Sequence, residues 1–508
     1  MKVLGRVIES LSPRIVKVIA PAPMPLGEYL ALDYQINDIK AKAIAVVANA
    51  QSRHAVEPSA IKYMEPEKFP DMPSITLSEM ELYVVAEKIG NGKLAAPRYP
   101  VPPDTPVRRV TPAELEELYG MGRGVKLGTL EIGGESSIEI KIDPNKLTKH
   151  LFIAGATGSG KSNTVAVLID RLSKMGAPVV VFDVHGEYNM QLKEGGMLKV
   201  IDAVINPLLL PPRVLAGLII PDAKATRQRR LLVKAIRAFH KKLEDLRQDH
   251  TLEEALKTLV GGEEPEEADL PQLYARSLLF KVRQIGMEDK SYGSKITGTT
   301  EDKVEEFFEV APVSLTAPDM LSEKARGIVL VVDASRLSDE QKRWILKFIA
   351  DELLLRLKQS QGRDSVILVV EEAPLFLGDK LSHPVKDSLQ RFAREGRKFG
   401  GCLVIVSQRP RSLDVNVVSQ LQNFIFLKVV QEEDVRTIMN IADNLEENLA
   451  TMIKSFPEGR ALVLGEFVGR FPALVKIDRH EGKKLGVTPN LLELWEEKSR
   501  TEKTYYGD

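Results

Sequence analysis

The stretch GATGSGKSNT, residues 155–164, constrains the fold of this chain more than any other. It fits G-x-x-x-x-G-K-[ST], with Gly155, Gly160, Lys161 and Ser162 at the fixed places. Such a loop works only between a buried strand and a helix, where backbone N–H groups converge on phosphate and the helix N-terminus adds positive potential. Both flanks are present: apolar LFIAG precedes it, and VAVLIDRLSKM follows and ends at Gly176. Gly155, Ala156, Thr157, Gly158, Ser159, Gly160, Lys161, Ser162 and Asn163 are therefore expected to hold ATP. Lys161 should reach the β- and γ-phosphates, and the Ser162 hydroxyl should ligate Mg²⁺. Kinases, switches, clamps and motors all carry this loop, so it does not decide among them.

The surrounding pattern narrows the architecture. From SSIEIKID (136–143) onward, apolar strands alternate with amphipathic helices, which predicts a parallel α/β sheet of the RecA-like P-loop type. HLFIAG, PVVVFDV, GIVLVVDAS, SVILVVEEA, GCLVIVSQ, FIFLKVV and RALVLGEF are the expected core strands. Short β-rich runs punctuated by Pro and Gly predict a small N-terminal β-barrel over 1–96, with a linker over 97–134. The core is then expected over 135–221 and 326–480, interrupted at 222–325 by a helical insertion with an acidic loop at GGEEPEEAD. A polar tail follows over 481–508.

At 508 residues the chain exceeds one core. A net charge of −1 argues against a surface coated all over by nucleic acid, but leaves room for a local basic channel. A lone cysteine, Cys402, cannot form an intrachain disulfide, and neither a signal peptide nor a membrane span is legible. A cytoplasmic protein is expected.

Polar residues at strand ends supply the chemistry. VILVVEEA ends in Glu371 and Glu372, expected beside the phosphate strand facing metal and water. Glu372 is read as the residue that polarises water and Glu371 as the magnesium carboxylate. Gln408, ending VIVSQ, reads as a γ-phosphate sensor. Asp183 and Glu187 in DVHGEY are placed to position water or metal, with a helix N-cap role for Asp183 as the alternative. His185 belongs to no metal-ligand spacing. In PVKDSLQRFAREGRKFGG, Val385, Leu389, Phe392, Gly396 and Phe399 recur at helical spacing and leave Arg391, Arg394, Arg397 and Lys398 outside.

Taken together, GATGSGKSNT, DVHGEY, VVEEA, REGRKFG and SQRP closely resemble the HerA ATPases, hexameric DNA translocases. SQRPRSLDVNVV also resembles the FtsK pumps, and the N-terminal strands resemble the HerA family's HAS barrel. The resemblance implies a homohexamer with ATP sites between subunits, double-stranded DNA in a central channel, and a NurA-like nuclease on the barrel side in DNA end resection. It implies that Arg397 is an arginine finger and that Lys149 stands where relatives place a basic residue near the nucleotide. Lys380, Lys386, Arg227, Arg229 and Arg230 are candidate contacts to DNA phosphates. Rival readings are a protein-remodelling ring, disfavoured by strands where a helical lid is due, a conjugation or secretion motor, and a clamp that seats a nuclease without translocating.

Overall fold

The computed structural model describes residues 2–54, 76–120, 123–133, 136–222, 224–260, 268–311, 313–315, 327–442, 445–469 and 471–482. They form two compact units, one drawn from Met1–Lys199, Ala325–Val331 and Ala350–Asp508, the other from Val200–Lys324 and Val332–Ile349. Most of the expected acidic loop (261–267) and most of the tail (483–508) lie outside the described residues.

In the first unit, β1 (Gly5–Ser10), β2 (Ile15–Ala20), β3 (Tyr29–Ile36), β4 (Ile39–His54), β5 (Thr76–Ile89) and β6 (Pro106–Arg109) close a barrel in the order β1-β2-β5-β4-β3-β6. Alternation drives it: Val16, Val18 and Ala20 of β2 point inward, onto Leu30, Leu32, Val47 and Leu82. The boundary expected at 96 is corrected here, because β6 lies in the presumed linker and closes the barrel against both β1 and β3. Charge explains its docking. Arg108 donates to Asp33 at 3.1 Å and to Glu114 at 2.8 Å. Glu114 forms a capping box with Thr111 at the start of α1 (Pro112–Tyr119). Burial pushes the Glu114 carboxyl up, but hydrogen bonds from Arg108, Lys42 and Thr111 outweigh it and hold it well below the usual range. Its contribution to stability is therefore present above the ordinary carboxylate pKa and lost as pH falls below it.

The second sheet starts earlier than expected, at β7 (Val125–Ile132) and β8 (Ser136–Ile142), which pair antiparallel. It continues with β9 (Leu151–Ala154), β10 (Val179–Asp183), β11 (Met197–Asp202), β12 (Ile328–Asp333), β13 (Val366–Val370), β14 (Gly401–Ser407), β15 (Asn423–Phe426), β16 (Arg460–Leu464) and β17 (Ala473–Ile477). The order is β11-β12-β10-β13-β14-β9-β15-β16-β17-β7-β8. One expectation fails: β13 does not lie beside β9, since β14 pairs in parallel with both and separates them. The register still brings the strand ends level, with Phe182 opposite Val370, Val370 opposite Ile405, and Ser407 opposite Ala154. Asp183, Glu371, Gln408 and Gly155 thus all leave the sheet at one edge, where α/β sheets bind ligands. Helix α2 (Lys161–Lys174) follows β9 and buries Val165, Leu168, Ile169 and Leu172.

The second unit contains α3 (Pro212–Ile219), α4 (Thr226–Leu246), α5 (Leu252–Leu259), α6 (Leu270–Glu288) and α7 (Gly293–Val310). Its core includes Leu231, Ile236, Phe239, Leu273, Tyr274 and Leu278. This insertion begins before 222, because α3 already belongs to it. Two further helices are α8 (Asp339–Gln359) and α9 (Pro384–Gly396), the second of which ends immediately before Arg397. Among the described residues no helix is long and apolar enough to cross a membrane. The Cys402 thiol is buried in β14.

Replacing Arg108 with Met would strand Glu114 and Asp33 without their shared donor. A loss of about 1–3 kcal/mol is expected, read as a lower urea midpoint near neutral pH, with the gap from wild type narrowing progressively as pH falls below the ordinary carboxylate range and Glu114 approaches protonation.

Candidate functional site

The phosphate loop is shaped by backbone that few residues other than glycine adopt. Gly158 and Gly160 take φ values of 75° and 101°. At Gly155 an added Cβ would approach Ser159 Oγ to 2.5 Å. Ser159 Oγ is itself buried without a hydrogen-bond partner among the described residues, a donor left over inside an anion cradle. Lys161 Nζ donates to the Ala156 carbonyl at 2.9 Å. Burial pulls the Lys161 ammonium down, while Glu371, Glu372 and Glu187 push it up. Thr157 donates to Gln408 at 2.7 Å and Ser162 to Glu187 at 2.9 Å, so the loop is tied to two other strand ends.

Thr157, Gly158, Gly160, Lys161, Ser162, Glu187 and Gln408 line a cavity of about 260 Å³ with Glu371, Glu372, Tyr188 and Glu458, whereas Gly155, Ala156 and Ser159 shape the loop from outside that lining. The two carboxylates of VVEEA differ sharply. Glu371 is 5% exposed, and burial pushes its carboxyl up to about 8 although the Tyr188 hydroxyl donates to it. Glu372 faces the cavity from a backbone φ of 45°, in the left-handed region that a non-glycine residue seldom occupies. Such strain clusters at active sites. Asp183 neither lines the cavity nor caps a helix, since no helix lies between β10 and β11 among the described residues; its carboxylate accepts from the N–H groups of His185, Gly186 and Tyr188 at 3.1, 2.8 and 2.9 Å. It thereby fixes the turn that presents Glu187 and Tyr188. Tyr188 and Glu458 are site residues that sequence reasoning missed. Tyr188 ends the DVHGEY motif, whereas Glu458 carried no signal.

Asn163 lines the cavity while its side chain holds the chain after β17, donating to the Asp478 carbonyl at 2.8 Å and accepting from His480 N–H at 2.9 Å. Lys149 is not in the cavity; its ammonium pairs with Glu466. Among the DNA candidates, Lys386 is consumed by an ion pair with Asp414, and Arg229 folds back onto the carbonyls of Ile220 and Pro221 at 2.7 Å each. Lys380, Arg227 and Arg230 are exposed.

Arg397 is also absent from the cavity. It is exposed, immediately after α9. The end of that helix is anchored by His150, whose Nε2 is 2.6 Å from the Ala393 carbonyl and whose Nδ1 accepts from Leu403 N–H at 3.0 Å. This pattern requires a neutral ring with the proton on Nε2. Burial holds the His150 pKa down to about 4, and the nearby Arg397 charge lowers it too.

Hydroxyl and carboxylate oxygens suit Mg²⁺. Among the described residues no three His, Cys, Asp or Glu side chains are grouped to hold a metal ion.

A glycine cradle after a buried strand, a lysine among carboxylates, and a strained Glu two strands away define a P-loop ATPase. The family described as "Helicase HerA, central domain" matches residues 125–353. The DNA double-strand break repair helicase HerA of Sulfurisphaera tokodaii is 36% identical, covering 82% of this chain and 81% of its own length. Its namesake in Saccharolobus solfataricus is 31% identical over 99% of this chain and 98% of its own. The chain belongs to the HerA helicase family. Among solved structures, VirB4 of Thermoanaerobacter pseudethanolicus overlaps 72% of this chain and 98% of its own, with TM-score 0.46 and 16% identity.

Two outcomes follow from this geometry. Tyr188→Phe should lower ATP turnover about 10–100-fold and raise the Mg²⁺ concentration needed for half-maximal rate, since Glu371 loses its orienting donor. Turnover and Mg²⁺ dependence both unchanged would contradict the role given to Tyr188. His150 supplies a pH test. Its folded pKa lies below the unfolded value, so stability is full above about pH 6.5 and declines as pH falls towards 4, by about 3 kcal/mol from this group alone. His150→Gln, which cannot titrate, should flatten that part of the urea-midpoint profile.

Proposed function

We propose that this protein is an ATP-driven translocase acting on double-stranded DNA, assembled as a homohexamer with its catalytic sites between subunits. One observation carries the reading. Among the described residues Glu187, Glu371, Glu372 and Glu458 line the cavity against one ammonium, that of Lys161, and the acids still outnumber it with the Glu371 carboxyl pushed up to about 8 and largely protonated near neutral pH. A triphosphate adds further negative charge, so one chain does not provide enough compensation. Mg²⁺ held by Ser162 and Glu371 would supply part of it by neutralising charge that develops on the phosphates. An arginine from a neighbouring subunit would supply the rest. Arg397 fits that role, being exposed, outside its own cavity, and carried by a helix end that His150 fixes. Its guanidinium stays charged and forks onto phosphoryl oxygens.

In this reading Glu372 draws the proton from the attacking water and Gln408 senses the γ-phosphate. Lys161 holds the phosphates, and Ser162, whose hydroxyl donates to Glu187 in this structure, would be a ligand of Mg²⁺. Lys149, tied to Glu466, acts at most as a local charge beside the phosphate strand. Duplex DNA occupies a central channel, with Lys380, Arg227 and Arg230 as phosphate contacts. A nuclease of the NurA kind docks on the barrel side, and the pair resects broken DNA ends. The likeness to relatives named as double-strand break repair helicases supports the substrate.

Lys161→Ala should lose nucleotide binding. Glu372→Gln should bind ATP and hydrolyse it very slowly. Arg397→Ala should retain binding and lose about 10³–10⁵ in rate. Mixing Lys161→Ala with Arg397→Ala subunits should restore turnover, because some interfaces then pair an intact loop with an intact arginine. Wild type mixed with each mutant establishes that mixed rings form and turn over. Rings that pass this control yet show no rescue exclude Arg397 as a residue acting in trans.

A further inference from the structure

The insertion carries a charge pattern that the ATP site does not use. Between Arg227 and Lys242 the sequence has seven cations and no Asp or Glu, in a chain whose net charge is −1. All of it lies on α4, whose apolar positions Leu231, Leu232, Ala235, Ile236 and Phe239 are buried. Every exposed residue over that span is cationic: Arg227, Arg230, Lys234, Arg237, Lys241 and Lys242. The spacing of three and four puts Arg227, Arg230, Lys234, Arg237 and Lys241 in one stripe. At 1.5 Å per residue it extends about 21 Å along the helix. Lys234 pairs with Asp289 at 2.9 Å, and among the described residues none of the other five exposed cations is drawn into an ion pair.

The start of the helix breaks a local rule. Cations at a helix N-terminus oppose the macrodipole by about 0.3–1 kcal/mol each, and acids are favoured there. Yet α4 opens with Arg227, Arg229 and Arg230, has no acid in its first turn and no side-chain cap. In the same bundle Thr251 caps α5, which carries Glu253 and Glu254 in its first turn, and Asp269 caps α6, while α3 and α7 also lack a side-chain cap and a first-turn acid; α4 differs from these two in opening on three arginines.

We infer that this face of α4 is a track for the phosphate backbone of duplex DNA. It extends the candidate contacts at Arg227 and Arg230 to Arg237, Lys241 and Lys242. Regularly spaced cations with no acid among them match a polyanion carrying one charge per about 1.7 Å of helix axis. Long, exposed cationic side chains suit contacts that carry no sequence information. The inference rests on the DNA-translocase reading above, and its test separates the two.

The test uses the full chain and a variant combining Arg237→Gln, Lys241→Gln and Lys242→Gln, binding two duplexes of unrelated sequence across a salt titration. For three lost phosphate contacts the slope of log K against log salt should fall by about 3, with binding at low salt weakened about tenfold or more, equally for both duplexes. An unchanged thermal midpoint would show that the fold survives. If the triple variant misfolds, Lys241→Gln and Lys242→Gln measured singly should each lower the slope by about 1. Arg237→Lys should preserve it. Wild type that binds DNA with a steep slope shared by the variants overturns the α4 track alone. Variants that bind DNA normally but lose an acidic polypeptide such as polyglutamate would make the stripe a protein-docking face, also overturning it. Wild type with no salt-dependent binding to duplex DNA overturns the DNA reading together with the track.

Discussion

A single ammonium among carboxylates is the constraint on which the site depends. Lys161 is half-buried, and burial disfavours its charge, yet Glu371, Glu372 and Glu187 stabilise it. Those acids also disfavour one another: Asp183 and Glu187 both help to push the Glu371 carboxyl up. An arrangement with this excess of negative charge is poised to take up cations. In the proposed reading, nucleotide arriving with Mg²⁺ and an arginine arriving from outside would both answer the same imbalance.

The sheet makes the imbalance possible. Level registers across β10, β13, β14 and β9 bring four loops to one edge. The turn after β10 then joins the parts. Asp183 fixes its backbone, Glu187 receives the Ser162 hydroxyl, and Tyr188 reaches the buried Glu371. The two groups assigned to the metal are thus both held by one turn. On the far side of β14, His150 links β9, α9 and β14, so the helix end before Arg397 is tied to the strand that leads into the phosphate loop.

Much of this was legible in the sequence because it is local. The phosphate loop, the strand ends and the amphipathic α9 each declare themselves within a dozen residues. The barrel boundary did not, since β6 is only four residues long and is held by Arg108 reaching back to Asp33. The ion pairs of Lys149 with Glu466 and Lys386 with Asp414 join residues far apart in the chain. Nothing local separates such a lysine from a free one. The order of β13, β14 and β9 was hidden for a related reason: strand sequence reports burial, and all three strands are buried on both faces. The difference between Glu371 and Glu372 is likewise three-dimensional, arising from Tyr188 and from the φ of 45° at Glu372.

The central claim is that ATP hydrolysis at this composite site moves the protein along duplex DNA. It is tested most directly by whether a streptavidin block on a biotinylated duplex is displaced during ATP turnover. The account predicts displacement by wild type that needs ATP, is stimulated by double-stranded DNA, and vanishes in Glu372→Gln although that variant still binds both ligands. DNA-stimulated turnover with the block left in place would contradict translocation and make the protein a nucleotide-dependent clamp.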